Sequence, residues 1–263
     1  MPLTISASEP FHSSHGVVNW HGFFLANREE FKRFLEGPVK ERLRDIENEA
    51  AFEAEMLALA STGMAKETLR ALLDSSPARE AWEVGEAIAE CFIQEHYGVV
   101  WPWNAERDKR TPRASLPGAD LVGLMEEDGE AYLALGEVKT SNDPRRPPQV
   151  MYGRTGMAHQ IDNLAGGLAI QFAILKYLNV RCKNTNYWPL FQRAAENYLR
   201  SGGKAIRLFG SLVRDTEADE GDLRARAIAL APRLSSPTRL RLIALYLPES
   251  IDNLVGFVEG GAG

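Results

Sequence analysis

Two acidic residues and one lysine are spaced so that a hairpin would bring them together at a site that could bind a divalent cation. The dipeptide Asp128-Gly129 separates two apolar segments and is a strong signal for a two-residue β-turn. Counting outward from that turn places Asp120 directly opposite Glu137 on the partner strand. Lys139 follows two residues later and therefore lies on the same face of its strand. The spacing alone thus predicts that these three side chains converge.

The opposed carboxylates create an electrostatic conflict that a cation would remove. Like charges directly opposite each other destabilise a sheet. The second strand, from Ala131 to about Thr140, is apolar on both faces, as is typical of a buried strand. Burial of two uncompensated carboxylates costs several kcal/mol or changes their protonation. A hard cation such as Mg²⁺ would offset this cost, whereas the simplest alternative is an Asp120–Lys139 salt bridge on a solvated hairpin.

A helix predicted for residues 78–96 supplies a candidate third carboxylate. At about 100° per residue, six of its residues form one apolar face. They are Trp82, Gly85, Ala89, Phe92, Ile93 and His96. Glu86 lies nearest to this face, and Glu90 lies about 40° further out. Glu86 is therefore the stronger candidate for a partner at the metal site.

These motifs resemble a known nuclease superfamily. Pro117-Gly-Ala-Asp120 followed by Glu137-Val-Lys139 resembles the PD-(D/E)xK superfamily, which includes the restriction-endonuclease-like folds. The order of predicted elements over residues 78–180 also resembles that superfamily. More narrowly, the segments GEAIAECFIQEHYG, PGADLVG and LALGEVKTS resemble the nuclease subunit of the Hachiman antiphage defence system.

The resemblance implies phosphodiester hydrolysis with Mg²⁺, for which Mn²⁺ would be a substitute, on nucleic acid and in particular DNA. It assigns Asp120, Glu137 and the Val138 carbonyl as metal ligands. It also assigns Glu86 as a catalytic carboxylate that binds the metal directly or through water. Lys139 would orient or deprotonate the attacking water and stabilise the developing phosphate charge.

Candidate nucleic-acid contacts follow the lysine strand. A proline-rich loop carries Arg145, Arg146 and Arg154, and the resemblance adds Gln160 at the start of the next predicted helix. Residues 176–214 hold eight basic residues and one acid, within a chain of net charge −6. Such segments can bind a polyanion, but they can also be solvated helix faces, and the loop arginines can serve only to solvate the loop.

The elements that must position these residues predict an α/β fold. From residue 78 the predicted order is helix, strand, strand, helix, helix, strand, helix, strand, which favours a restriction-endonuclease-like mixed sheet flanked by helices. The predicted domains are an acidic, mainly helical region at 1–77 and a nuclease-like domain at 78–263. An irregular lead-in is expected at 1–22, and residues 155–177 are expected to form a helix.

Composition excludes several other classes of protein. With 44% hydrophobic and 25% charged residues, the chain is typical of globular proteins. Its two cysteines are too distant in sequence for a disulfide framework, and its first twenty residues lack a signal-peptide pattern, which favours the cytoplasm.

Other functional classes remain open. One is a catalytically inactive nuclease-fold subunit that binds nucleic acid or a partner protein. The others are a structural interaction protein and a hydrolase of another phosphate ester. The acidic first hundred residues could dock a protein partner such as a helicase.

Overall fold

A computed structural model of the chain describes residues 5–74, 79–104 and 118–260. Its centre is a six-stranded mixed sheet with helices on both faces, which confirms the predicted α/β class. The strands are β1 (Ser8–His15), β2 (Val18–Phe24), β3 (Leu121–Glu127), β4 (Glu130–Ser141), β5 (Ile206–Arg214) and β6 (Arg239–Tyr246). They are ordered β1-β2-β6-β5-β4-β3. The four central strands run parallel, and each edge strand is antiparallel to its neighbour.

The β3–β4 hairpin forms in the register that the turn predicts. Asp128 and Gly129 have φ values of 55° and 80°, as a type I′ turn requires at both central positions. Glu127 pairs with Glu130, and Leu121 pairs with Gly136. The predicted register is therefore confirmed as far as Leu121 and Gly136, the pair that adjoins Asp120 and Glu137.

The described residues form ten α-helices, and several of them pack in two layers on the faces of the sheet. They are α1 (Arg28–Phe34), α2 (Lys40–Arg44), α3 (Ile46–Leu59), α4 (Gly63–Asp74), α5 (Ala81–Tyr97), α6 (Met157–Gly166), α7 (Leu168–Cys182), α8 (Trp188–Arg200), α9 (Arg224–Leu230) and α10 (Leu254–Glu259). Alternation along β4 separates the layers. Val138 packs into the core beneath α5, whereas Leu133 and Leu135 pack into the core beneath α6, α7 and α8. Within the described ranges, no helix combines the length and apolar character needed to cross a membrane.

The first two strands correct the prediction of an irregular lead-in. β2 pairs in parallel with β6 and buries Val18 and Trp20, and β1 pairs with β2 at the sheet edge. β1 is largely exposed and polar, so its sequence carries little of the alternation that marks a half-buried strand. The sheet therefore joins residues on both sides of the predicted boundary between positions 77 and 78.

The helix predicted at 155–177 is divided into α6 and α7 at Gly167. Buried Gln171 donates to the carbonyls of Leu164 (2.8 Å) and Ala165 (3.1 Å), and its amide oxygen accepts from the Tyr198 hydroxyl at 2.6 Å. This side chain satisfies carbonyls that the break leaves without helical partners. Because of the break, α6 packs against β4 and β5, whereas α7 packs against α8.

Candidate functional site

Asp120, Glu137 and Lys139 lie together where β3 begins and β4 approaches its end. The Asp120 backbone N–H donates to the Gly136 carbonyl at 3.1 Å, so the regular pairing ends at Leu121 and Gly136, and Asp120 lies one residue beyond it. The Lys139 ammonium donates to Glu137 Oε1 at 2.6 Å. The Glu137 residue is only 3% exposed. The structure thus brings all three side chains to one face of the hairpin.

The electrostatics of this carboxylate cluster are unbalanced. Burial, followed by the charge of Asp120, raises the pKa of Glu137 to about 8, although the Lys139 ammonium lowers it. With both carboxylates ionised, the cluster of Asp120, Glu137 and Lys139 carries one excess negative charge. Either a proton on Glu137 or a bound cation would neutralise that charge.

The backbone of Val138 faces the same cluster. Its N–H donates to Asp120 Oδ2 at 2.9 Å, while its side chain is buried on the other face, beneath α5. Because the N–H and C=O of one strand residue point to the same side, the Val138 carbonyl also points toward Asp120, beyond the start of β3. A carbonyl oxygen is therefore available beside the two carboxylates.

The alternative of a solvated Asp120–Lys139 salt bridge is wrong. Lys139 pairs with Glu137 instead, and that carboxylate is buried. Among the described residues, no group of three or more Asp, Glu, His or Cys side chains is arranged to hold a metal ion. A cation here would therefore bind two carboxylates, with the remaining positions taken by carbonyl, water or phosphate oxygens, which is the usual pattern for Mg²⁺.

Glu86 lies on α5, the helix that covers the opposite face of β4 from Glu137. At Gly85 the helix and strand approach so closely that a Cβ there would lie 1.9 Å from Thr140 Oγ1. Glu86 is half-buried, one residue from this contact, and Thr140 adjoins Lys139. The structure therefore places Glu86 near the same end of β4, and its contact with the metal site stays a prediction.

Glu90 has a different environment from Glu86. Its carboxylate accepts two hydrogen bonds from Arg42 of α2, one of them at 3.2 Å, and the residue is 8% exposed. The same guanidinium donates to the Trp103 carbonyl at 3.2 Å. Glu90 therefore ties α5 to the N-terminal helices. The predicted apolar face of α5 is partly wrong, because His96 is exposed while Ile88 is fully buried.

Gln160 lies on α6, which packs on β4 and β5. Met157, one helical turn earlier, has its sulfur 2.9 Å from the position a Cβ would take at Gly210, and Gly210 is the β5 partner of Glu137. The side-chain oxygen of Gln160 is enclosed and has no hydrogen-bond partner among the described residues. This places an unused acceptor on the helix that covers the cluster.

The loop arginines are already engaged by carboxylates. Arg145 Nε donates to both oxygens of Asp143 at 3.0 Å, and Arg146 Nη1 donates to Asp219 at 2.8 Å. The hydrogen bond from Arg145 is the main reason that the pKa of Asp143 lies well below its usual range. Arg154 is exposed. Any contact with phosphate would require Arg145 and Arg146 to exchange these partners.

Half of the basic residues in segment 176–214 are paired with acids. Four of its eight basic residues form ion pairs with acids elsewhere in the chain. These pairs are Arg193–Glu126, Arg200–Glu130, Arg207–Glu127 and Arg214–Asp222. These four arginines therefore do not act as unpaired positive charges, and Arg207 and Arg214 are buried.

Arg214 is a positioning residue that sequence reasoning missed. It is fully buried, and its guanidinium donates to the carbonyls of Asp143 (2.6 Å), Arg145 (3.3 Å) and Ser141 (3.5 Å). Its Nε lies 3.3 Å from buried Asp222. The available signal was an arginine at the end of the apolar run Leu212-Val213, and in the structure it fixes the loop that follows β4.

The motif residue Pro117 and the basic residues between Trp103 and Gly118 lie outside the described residues. A model of the protein family described as HamA matches residues 15–150, just over half of the chain. The match includes α5, the β3–β4 hairpin with all three cluster residues, and the loop arginines Arg145 and Arg146. Arg154 and Gln160 lie beyond it. No curated protein matches the chain.

Proposed function

This chain belongs to the HamA family, and from that premise we propose that it acts in Hachiman antiphage defence as a metal-dependent nuclease that hydrolyses DNA. The family is consistent with the Hachiman system, to which the sequence resemblance pointed. The cleavage chemistry and the PD-(D/E)xK assignment are our proposals.

The observation that carries the proposal is the buried pair of opposed carboxylates with a lysine on the same face. Burial and the charge of Asp120 raise the pKa of Glu137, and one lysine does not balance the two carboxylates. If these residues contributed only to the stability of the sheet, a neutral pair would be more favourable than two opposed carboxylates. The arrangement is therefore better explained by a cation that binds there.

The donor set suits Mg²⁺ or Mn²⁺. Two carboxylates and the Val138 carbonyl are hard oxygen ligands, and their spare negative charge favours a divalent cation. When bound, the metal would polarise the scissile phosphate and lower the pKa of a water. Asp120, Glu137 and Val138 would hold it, and Glu86 would contribute directly or through water.

Lys139 would act on the attacking water and on the phosphate. Its ammonium lies 2.6 Å from Glu137 Oε1, so it is held at the edge of the proposed metal site. From that position it can orient the water and offset the negative charge that develops on phosphate oxygens. Gln160 would offer its unpartnered amide oxygen to water or substrate.

One observation favours a second candidate function, an inactive nuclease-fold subunit that binds nucleic acid or a partner protein. The Lys139 ammonium already has a partner in Glu137, and a proton on that carboxyl group would remove the excess negative charge without a metal. In that case the chain would not cleave nucleic acid with or without Mg²⁺, and Mg²⁺ would not change its binding.

Nicking of supercoiled plasmid tests the proposal. Purified chain with Mg²⁺ should nick the plasmid, chelation should stop the reaction, and Lys139→Ala should be inactive. Lys66→Ala is the matched control, because this exposed lysine lies on α4, outside the candidate nucleic-acid contacts, and it should retain full activity. Plasmid binding without Mg²⁺-dependent nicking would support the inactive subunit, and single-stranded RNA offered in parallel tests the choice of DNA.

A further inference from the structure

A groove between α3 and α4 presents apolar side chains to solvent. The cavity measures about 430 Å³. Met56 and Leu59 line it from α3, and Met64, Leu69 and Leu72 line it from α4. We call it the α3–α4 groove. It belongs to the N-terminal helices and shares no lining residue with the carboxylate cluster.

The exposure of these side chains is high for large apolar residues. Leu59 is 73% exposed, Met64 is 78% exposed and Leu72 is 65% exposed. Phe52, one helical turn before Met56, is 50% exposed. Contiguous apolar patches of this kind mark surfaces that bind another molecule.

Acidic residues flank the apolar stripe of α3. The stripe runs through Met56 and Leu59 and extends back to Phe52. At about 100° per residue, Glu53 lies on one side of this stripe and Glu55 lies on the other. Both side chains are exposed, and α3 contains no lysine or arginine. The rim on this side of the groove is therefore negative.

The basic residues of α4 do not offset that charge at the groove. Thr68 lines the groove near its centre. On the helix Lys66 and Arg70 lie about 160° from Thr68, in opposite directions, and therefore on the far side of α4. The groove thus combines an apolar floor with an acidic edge, which disfavours the phosphates of nucleic acid as its occupant.

We propose that the α3–α4 groove docks a basic amphipathic helix of a partner protein. The apolar face of such a helix would insert anchor side chains between α3 and α4, and its lysines or arginines would face Glu53 and Glu55. Met56 and Met64 allow the floor to adapt to the anchors, because methionine is flexible and polarisable. This inference concerns docking alone and holds whether or not the proposed cleavage does.

Two labelled peptides test the match of charge. One is a helix of about 18 residues built from leucine and lysine, with leucines at helical spacing, and the other has glutamate in place of each lysine. Fluorescence anisotropy with the full chain should show that the lysine peptide binds at least about tenfold more tightly than the glutamate peptide. Added salt should reduce this preference, since exposed charges are screened.

Variants place the peptide in the groove. Leu72→Asp should weaken binding of the lysine peptide by about tenfold or more, as the loss of an anchor site does. Phe172→Asp is the matched control, because Phe172 is 70% exposed on α7. This variant should bind the lysine peptide as tightly as the parent chain does. Both changes are at exposed positions, so the thermal unfolding midpoints should stay near that of the parent. Combined Glu53→Gln and Glu55→Gln should lower affinity for the lysine peptide and leave affinity for a leucine–glutamine peptide unchanged.

Three outcomes would overturn the proposal. Equal binding of the lysine and glutamate peptides would remove the role of charge. Equal losses in Leu72→Asp and Phe172→Asp would show that any apolar patch suffices. A dimer in analytical ultracentrifugation that Leu72→Asp abolishes would show that a second copy of the chain occupies the groove.

Discussion

The two ends of the β3–β4 hairpin both hold partly or fully buried carboxylates, but they balance the charge in opposite ways. At the turn end, Glu127 accepts from Arg207 Nε at 2.5 Å and from Arg239 Nη1 at 3.1 Å, and it also pairs with Arg241. Burial alone would raise the pKa of Glu127, but hydrogen bonds and charge from Arg241 and Arg207 outweigh it, so the pKa is lowered.

At the other end of the same hairpin, positive charge is in deficit. Glu137 faces Asp120 and has only Lys139 as a cationic partner among the described residues, and its pKa is raised. Both ends have glutamates on the same two strands, so strand formation alone does not explain the difference. The arginine-rich end is complete by itself, whereas the carboxylate cluster requires a proton or a cation.

Substitution of Glu137 should affect plasmid nicking far more than substitution of Glu127. Glu137→Gln should reduce Mg²⁺-dependent plasmid nicking by at least about 100-fold, because a ligand and charge at the reacting centre are lost. Asp120→Ala and Lys139→Ala should also abolish cleavage. Glu127→Gln should leave cleavage near the parent rate, but lower the free energy of unfolding by about 1–3 kcal/mol. Nicking rates and urea unfolding measure both, and full activity in Glu137→Gln would reject its role.

The second effect is an opposite response to pH without metal. Since folding raises the pKa of Glu137 from 4.5 to about 8, the folded state holds the extra proton between these values. The stability from this group is complete below pH 4.5 and is lost as the pH rises toward 8, at about 1.4 kcal/mol per pKa unit. Glu127 has a lowered pKa, so its contribution is present above pH 4.5 and is lost as the pH falls.

Urea unfolding in chelator between pH 4 and 9 measures this contrast. Glu137→Gln should flatten the alkaline loss, and Glu127→Gln should flatten the acidic loss. A Glu137→Gln variant that keeps the parent's alkaline loss would show that the cluster is not the source.

A smaller effect distinguishes the two glutamates of α5. Glu86→Gln should lower cleavage by about tenfold with little change in stability, since its proposed role is at the metal. Glu90→Gln should lower stability more than cleavage, because it weakens the buried pair with Arg42. Parallel nicking and unfolding assays would refute this assignment if Glu86→Gln cleaved as well as the parent.

The smallest effect concerns the arginines beyond β4. Arg154→Ala should remove about one phosphate contact. The slope of the logarithm of the DNA-binding constant against the logarithm of salt concentration should therefore become shallower by roughly 0.9. Combined Arg145→Ala and Arg146→Ala should change this slope by less than the loss of two phosphate contacts would. The reason is that Arg145 already pairs with Asp143, and Arg146 already pairs with Asp219. Binding isotherms at several salt concentrations provide the slopes, and an unchanged slope in Arg154→Ala would place the DNA elsewhere.

The hairpin and its cluster could be predicted from sequence because local rules determine them. Asp128-Gly129 fixes a turn, the turn fixes the register, and the register brings Asp120 and Glu137 together just beyond the last pair, Leu121 and Gly136. The helix ending at Gly98 was also readable, because glycine adopts the positive φ of 66° found there.

Features that depend on residues distant in the chain could not be predicted from the sequence. The pairing of β2 with β6 joins residues more than 200 positions apart, and the polar edge strand β1 has no buried pattern of its own. The ion pairs of Arg146 and Arg214 likewise depend on acids that only the fold brings near. Counts of charge along the chain therefore overestimated the basic surface.

Calorimetric titration with Mn²⁺ at pH 7, in two buffers of different ionisation enthalpy, tests the central claim most directly. If Asp120 and Glu137 hold the cation, the chain should bind Mn²⁺ and release close to one proton, because Glu137 is largely protonated before binding. The Asp120→Asn and Glu137→Gln variants should lose this binding, and Glu127→Gln should retain it. Binding that persists in both cluster variants, or no binding by the parent chain, would contradict the account.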